Sequence, residues 1–157
     1  MSEVIIDLQI AFDADHNPSF EQVHRWASEA LQHHEPEHGD MEVCMRIVDI
    51  QESQTLNKTY RKKDAPTNVL SFDYSDDDWE HEDVQLLGDL VLCADIIEEE
   101  ALAQNKPAEA HWAHMIVHGI LHLLKHDHQN KQDTETMETL EVVILKKLGY
   151  NNPYEVS

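Results

Sequence analysis

The sequence predicts an α+β fold: a small mixed four-stranded sheet covered by about five helices, in a single domain. Three observations lead there. Segments 5–12 and 41–47 alternate apolar and polar residues with the period of a strand, and the apolar runs 68–72 and 86–93 have strand length. The segments between and after them read as helices. No internal repeat and no Gly-, Pro- or Ser-rich linker divides the 157 residues, a length that suits one domain.

In chain order, Ile6, Leu8, Ile10 and Phe12 share one side of the first strand, opposite Asp7 and Gln9. Ser19 and Gln22 have the spacing of a capping box, and Val23, Trp26, Ala27, Ala30 and Leu31 follow at helical intervals. Residues 33–40, HHEPEHGD, read as a polar loop. In the second strand Met41, Val43, Met45 and Ile47 alternate with Glu42, Cys44 and Arg46. A short helix over 50–60 can take Asp49 as its cap. Pro66 separates it from the third strand, and 75–83, SDDDWEHED, is too charged to pack. The fourth strand leads into helices at 95–104 and 107–125, with Pro107 suited to a first turn. The last helix, 133–148, puts Met137, Leu140, Ile144, Leu145 and Leu148 on one side and stops at Gly149.

Apolar residues make up 41% and charged residues 27%, a globular mixture rather than a disordered one. The charge balance is unusual: 32 acids against 11 bases give −21. Such a chain is no general polyanion binder, which needs clustered Lys and Arg. No apolar run approaches membrane-spanning length, so no membrane partner is expected. The first residues, MSEVIIDLQ, lack the basic start of a secretory signal. Cys44 and Cys93 have no metal or disulfide spacing and read as small core residues. The expected location is the cytoplasm.

Six of the 12 histidines fall between residues 111 and 128. His118 and His122 are four apart, so a helix puts both on one face, within reach of a single metal ion. His128, ten residues after His118, would lie about 15 Å further along a continuous helix. It joins them only if the helix stops after His122 and the chain folds back. Three imidazoles with one open position are the pattern of a catalytic zinc. His111, His114, His118 and His122 form one stripe on a helix that is otherwise apolar nearly all round, which places the stripe against an internal cleft. His16, His24, His33, His34, His38 and His81 read instead as loop or surface residues. The H-x3-H-x5-H spacing also occurs in metzincin proteases. Here, however, Gly119 stands where their general-base Glu would be, and Lys125 replaces their turn Gly.

A second segment, NKTYRKKDAPTNVLSF (57–72), carries Lys58, Arg61, Lys62 and Lys63, the one basic patch of the chain. Together with LGDLVLC (87–93) and HGILHLLKHDH (118–128), it resembles the YbeY family of bacterial endoribonucleases and rRNA maturation factors. The resemblance implies a small sheet covered by helices and one divalent metal per chain, expected to be zinc, held by His118, His122 and His128. It makes Arg61 the functionally important arginine. It further implies cleavage of single-stranded rRNA, including 3′-end maturation of the small-subunit RNA, and ribosome quality control. One departure is Lys125-His126, where the family commonly has Gly-Tyr; a left-handed turn at Lys125 would cost about 1–2 kcal/mol.

On this reading Arg61 and His114 are the candidate catalytic residues. Arg61 pairs with the phosphate, and His114, one turn before His118, supports a ligand or carries a proton. Lys62 and Lys63 are substrate-binding candidates, and Asp127 a carboxylate that orients a ligand imidazole. The expected partners are single-stranded rRNA, the small ribosomal subunit and, given the acidic excess, a basic ribosomal protein; DNA is not expected. Two other classes remain open: a ribosome-assembly binding factor with a structural metal, and a zinc-dependent hydrolase of a non-RNA substrate.

Overall fold

The computed structural model describes residues 4–14, 17–34, 40–73, 84–124 and 131–154. Nine elements follow in order: β1 (Val4–Ile10), α1 (Phe20–His34), β2 (Asp40–Val48), α2 (Ile50–Arg61), β3 (Val69–Asp73), β4 (Val84–Cys93), α3 (Ala94–Ala103), α4 (Ala108–Leu123) and α5 (Lys131–Leu148). The sheet order is β1-β2-β4-β3. β1, β2 and β4 run parallel, and β3 is antiparallel to β4. This is the mixed four-stranded α+β fold that the sequence predicts.

The local signals act as expected at most element ends. Ser19 and Gln22 cap α1 reciprocally: the Gln22 N–H donates to Ser19 Oγ at 3.2 Å and the Ser19 N–H to Gln22 Oε1 at 2.9 Å. Asp49 caps α2 by accepting from the Glu52 N–H at 2.9 Å. Gly149 ends α5 at φ +95°, a conformation that costs a residue without Cβ little. Pro107 is the N-cap of α4 rather than a first-turn residue. α5 begins at Lys131, two residues before the expected start. β1 is shorter than its alternation suggests: it is an edge strand that ends at Ile10, which is 52% exposed, while Phe12 beyond it still packs against the core.

The main core lies on one sheet face. Ile6, Val43, Met45, Ile47, Leu90 and Leu92 pack there against Val23, Trp26 and Ala30 of α1, Trp112, Ile116 and Ile120 of α4, and Met137 and Ile144 of α5. Burial of such side chains stabilises by about 1.5–3 kcal/mol each. A smaller cluster on the opposite face joins Val48, Leu70, Val91 and Cys93 to Leu56 of α2, Phe72 and Ile96. Much of the rest of that face is polar, with Asp7, Gln9, Arg46 and Asp89. Cys44 lies there, half-buried between Asp7 and Asp89 rather than in the core; burial first, then the two carboxylates, push its thiol up to about 11. Cys93 is buried as expected.

Gly119 sets how closely α4 lies on the sheet. A Cβ there would come within 2.8 Å of Leu90 Cδ2, inside the core. The position therefore faces packed strand β4, and the metzincin carboxylate has no room at it. Among the described residues, no helix is long and apolar enough to cross a membrane.

Candidate active site: a histidine row, a buried carboxylate and a basic edge

α4 carries the histidine row into the core. His111 and His114 are 2% and 7% exposed, while His118 and His122 are half-buried toward the end of the helix. Consecutive rings meet edge to face, with centroids 6.0, 6.3 and 4.6 Å apart along the row. The helix ends at Leu123, one residue after His122 and two before the expected end at 125. His128, Lys125, His126 and Asp127 lie outside the described residues, as does the acidic segment 75–83.

The row meets a group that the sequence reading passed over. Glu141 of α5 is 0% exposed and takes hydrogen bonds from three directions. His114 Nε2 donates to its Oε1 at 2.5 Å, the Tyr154 hydroxyl to the same oxygen at 2.7 Å, and His118 Nδ1 to Oε2 at 3.2 Å. Burial alone would raise the Glu141 carboxyl, but the two histidine hydrogen bonds and the charges of those rings outweigh it and hold it down at about 2. The same contact acts on Tyr154: burial first, then the Glu141 carboxylate, push its phenol well above the ordinary range. The sequence did contain a signal. Glu141 stands inside the apolar stripe of Met137, Leu140, Ile144 and Leu145, and a lone acid in a buried stripe needs a partner.

The carboxylate fixes the chemistry of His118. An ionised carboxylate only accepts, so Nδ1 carries a proton, and the lone pair that the ring can offer a metal is the one on Nε2. That atom faces His122 Nε2 at 3.1 Å. Two imidazole nitrogens on one tetrahedral zinc at 2.0–2.1 Å would sit about 3.3 Å apart. The pair therefore fits a shared ion, with Glu141 in the place of the carboxylate that backs a metal-bound histidine. Among the described residues, no group of three or more His, Cys, Asp or Glu is arranged to hold a metal; the third expected ligand, His128, is not one of them.

At the inner end of the row, His111 Nε2 lies 2.8 Å from Glu100 Oε1 of α3, and Asn68 Nδ2 donates to both Glu100 oxygens at 3.2 Å. Burial lowers the His111 pKa, with partial compensation from Glu100. Asn68 thus ties the start of β3 to the row. His24 is also structural: it is half-buried, and its Nε2 donates to the Val4 carbonyl at 2.8 Å.

The basic residues gather elsewhere, at the end of α2 against the outer edge of β3. Arg61 donates to the Ser71 carbonyl, and its guanidinium carbon sits 5.1 Å from the centre of the Phe72 ring. Lys62 takes φ +63° as the C-cap, and its N–H bonds to the Asn57 carbonyl. The turn that follows is held from below. Asn57 Nδ2 donates to Ala65 O at 2.8 Å, while Ser53 Oγ donates to Thr67 O and accepts from the Thr67 N–H. Lys58 pairs loosely with Asp64 at 3.9 Å. Arg61, Lys62 and Lys63 are exposed. β3 is the element common to both groups: α4 packs on it, and Arg61 docks on its outer edge, unpaired among the described residues.

Comparison with known proteins places the chain among hydrolases that cleave RNA: the family model described as Endoribonuclease YbeY matches residues 9–149. The chain belongs to the YbeY family, and membership supports an endoribonuclease role in rRNA processing. Among solved structures, it is similar to the solution structure of TM1509 from Thermotoga maritima. That match has 22% identity and a TM-score of 0.59, and covers 97% of this chain and 99% of that one. At this identity the likeness speaks for the fold.

Proposed function

We propose that this protein is a single-domain, divalent-metal-dependent endoribonuclease that cuts single-stranded rRNA, including in 3′-end maturation of the small-subunit RNA and in ribosome quality control. The observation that carries the metal reading is the His118–His122 pair, with Nε2 atoms 3.1 Å apart and His118 Nδ1 committed to buried Glu141. His118, His122 and His128 would hold the ion, expected to be zinc. When bound, it would supply Lewis acidity toward water or a phosphoryl oxygen.

The chain's own residues do the rest. Glu141 keeps His118 in the tautomer that presents Nε2 and gives its ring a single orientation. His114 shares that carboxylate and is read as a supporting or proton-carrying residue, its Nε2 bonded to Glu141 and 3.3 Å from the Tyr154 hydroxyl. Arg61, with its guanidinium already oriented by Ser71 and Phe72, is placed to pair with a phosphate and stabilise charge that builds on it. Lys62 and Lys63 add phosphate contacts beside it. Asp127 is read as a further carboxylate behind the ligands. In a chain of −21, RNA approaches through this corner, and the remaining acidic surface suits a basic ribosomal protein on the small subunit, in the cytoplasm.

The test is cleavage of a single-stranded oligoribonucleotide by the intact chain. Arg61→Ala and His122→Ala should each lower kcat/KM by about 100-fold or more with unfolding midpoints close to the parent. A chain that binds zinc and folds but leaves RNA intact while hydrolysing peptides or amides would refute the reading.

A further inference from the structure

Three large aromatic side chains are substantially exposed among the described residues: Phe20, Tyr60 and Tyr154. Two are accounted for within the protein. Phe20 leans on His24 with centroids 5.9 Å apart, and the Tyr154 hydroxyl donates to Glu141. Tyr60 is different. It is 61% exposed, and its hydroxyl has no partner among the described residues. Yet the ring is not loose. Phe72 of β3 meets it edge to face at 5.4 Å, and the same Phe72 carries the Arg61 guanidinium. Tyr60 therefore stands in water on a fixed footing, directly before the three consecutive bases Arg61, Lys62 and Lys63.

An aromatic face set among cations matches the two parts of a single-stranded nucleic acid. The phosphates take the charges, and an unpaired base takes the ring. A duplex keeps its bases stacked inside and offers none to a protein ring. We infer that Tyr60 is a base-stacking contact for single-stranded RNA at the outer edge of β3, seating one nucleotide so that its neighbouring phosphate reaches Arg61. The inference rests on the nuclease reading above and adds to it the group that recognises an unpaired base. It gives the preference for single strands a physical origin, since electrostatic attraction alone would favour the denser charge of a duplex.

The test is binding of a single-stranded oligoribonucleotide to the full chain in EDTA, which separates binding from cleavage. Tyr60→Ala should weaken binding about 10- to 100-fold, whereas Tyr60→Phe should stay within about threefold of the parent. Tyr60→Leu, which keeps apolar bulk but has no π face, should resemble the Ala variant. Emission from a 2-aminopurine in the strand should be quenched by the parent and not by Tyr60→Leu. Lys62→Ala should instead lower the salt dependence of binding by about one ion, an effect Tyr60→Ala lacks. If the parent cleaves RNA while Tyr60→Ala and Tyr60→Leu bind as the parent does, the stacking contact is refuted and the nuclease reading stands. If the parent neither binds nor cleaves single-stranded RNA, both fall. Loss of binding to a protein partner, with RNA affinity unchanged in these variants, would assign Tyr60 to a protein interface and overturn the inference.

Discussion

Along α4 the polar groups of the site are buried or half-buried and joined through Glu141 and Glu100, whereas at the end of α2 they are exposed and sit on a turn held by the hydrogen bonds beneath it. Glu141 is wholly buried, and its partners His114 and His118 come from another helix. Arg61, Lys62 and Lys63 are exposed, and the hydrogen bonds that organise their turn belong to Ser53, Asn57 and Thr67. The difference is one of purpose. A group that must hold a fixed tautomer needs a water-free partner. A group that must meet a mobile polyanion needs an accessible charge on a rigid base.

That contrast can be broken most forcefully at Glu141. Glu141→Ala removes a fully buried acceptor from two imidazoles and the Tyr154 phenol and should cost about 3–5 kcal/mol of stability in chemical denaturation. A loss below about 1 kcal/mol would mean that the network is incidental. Next in size is Gly119→Ala, whose new methyl would press on Leu90 in a filled core. A loss of about 1–3 kcal/mol is expected there. At the corner, by comparison, Lys62→Gly should raise stability by up to about 1 kcal/mol by relieving a left-handed lysine, while weakening RNA binding. The two regions are distinguished by this opposition: changes in the row lower stability, whereas this change in the corner raises it.

The smallest expected effect concerns pH. Burial depresses the His111 pKa, so the folded ring stays neutral where an unfolded one takes up a proton below about 6.5. Its contribution is therefore full above that value and is lost as pH falls. The urea midpoint should drop between pH 7.5 and 5, and His111→Gln, which keeps a donor toward Glu100 without titrating, should flatten the slope. An unchanged slope would show that His111 is not the group responsible.

Much of the fold was legible because its elements announce themselves locally. The Ser19–Gln22 box, the Asp49 cap, the alternation of Met41 to Ile47 and the stop at Gly149 all depend on residues a few positions apart. The exposed end of β1 was not legible, since Ile10 looks like any strand residue until the edge position is known. The same distinction runs through the site. His118 and His122 are four residues apart and could be paired on sight. Glu141 is 23 residues from His118, and only the packing of α5 on α4 brings them together. Gly119 was noticed for the carboxylate it lacks, but the reason lies in Leu90, 29 residues away on another element. Arg61 was found through a motif; its seat on Ser71 and Phe72 depends on strand β3 passing beneath the helix end.

The most direct test is zinc content measured by equilibrium dialysis, with RNA cleavage followed on the same samples. The account predicts one zinc per chain in the parent, its loss in a folded His122→Ala variant, and cleavage that rises in proportion to occupancy. A metal-stripped chain that cuts RNA at the full rate, or a His122→Ala variant that still takes up one zinc with parental affinity, would contradict it.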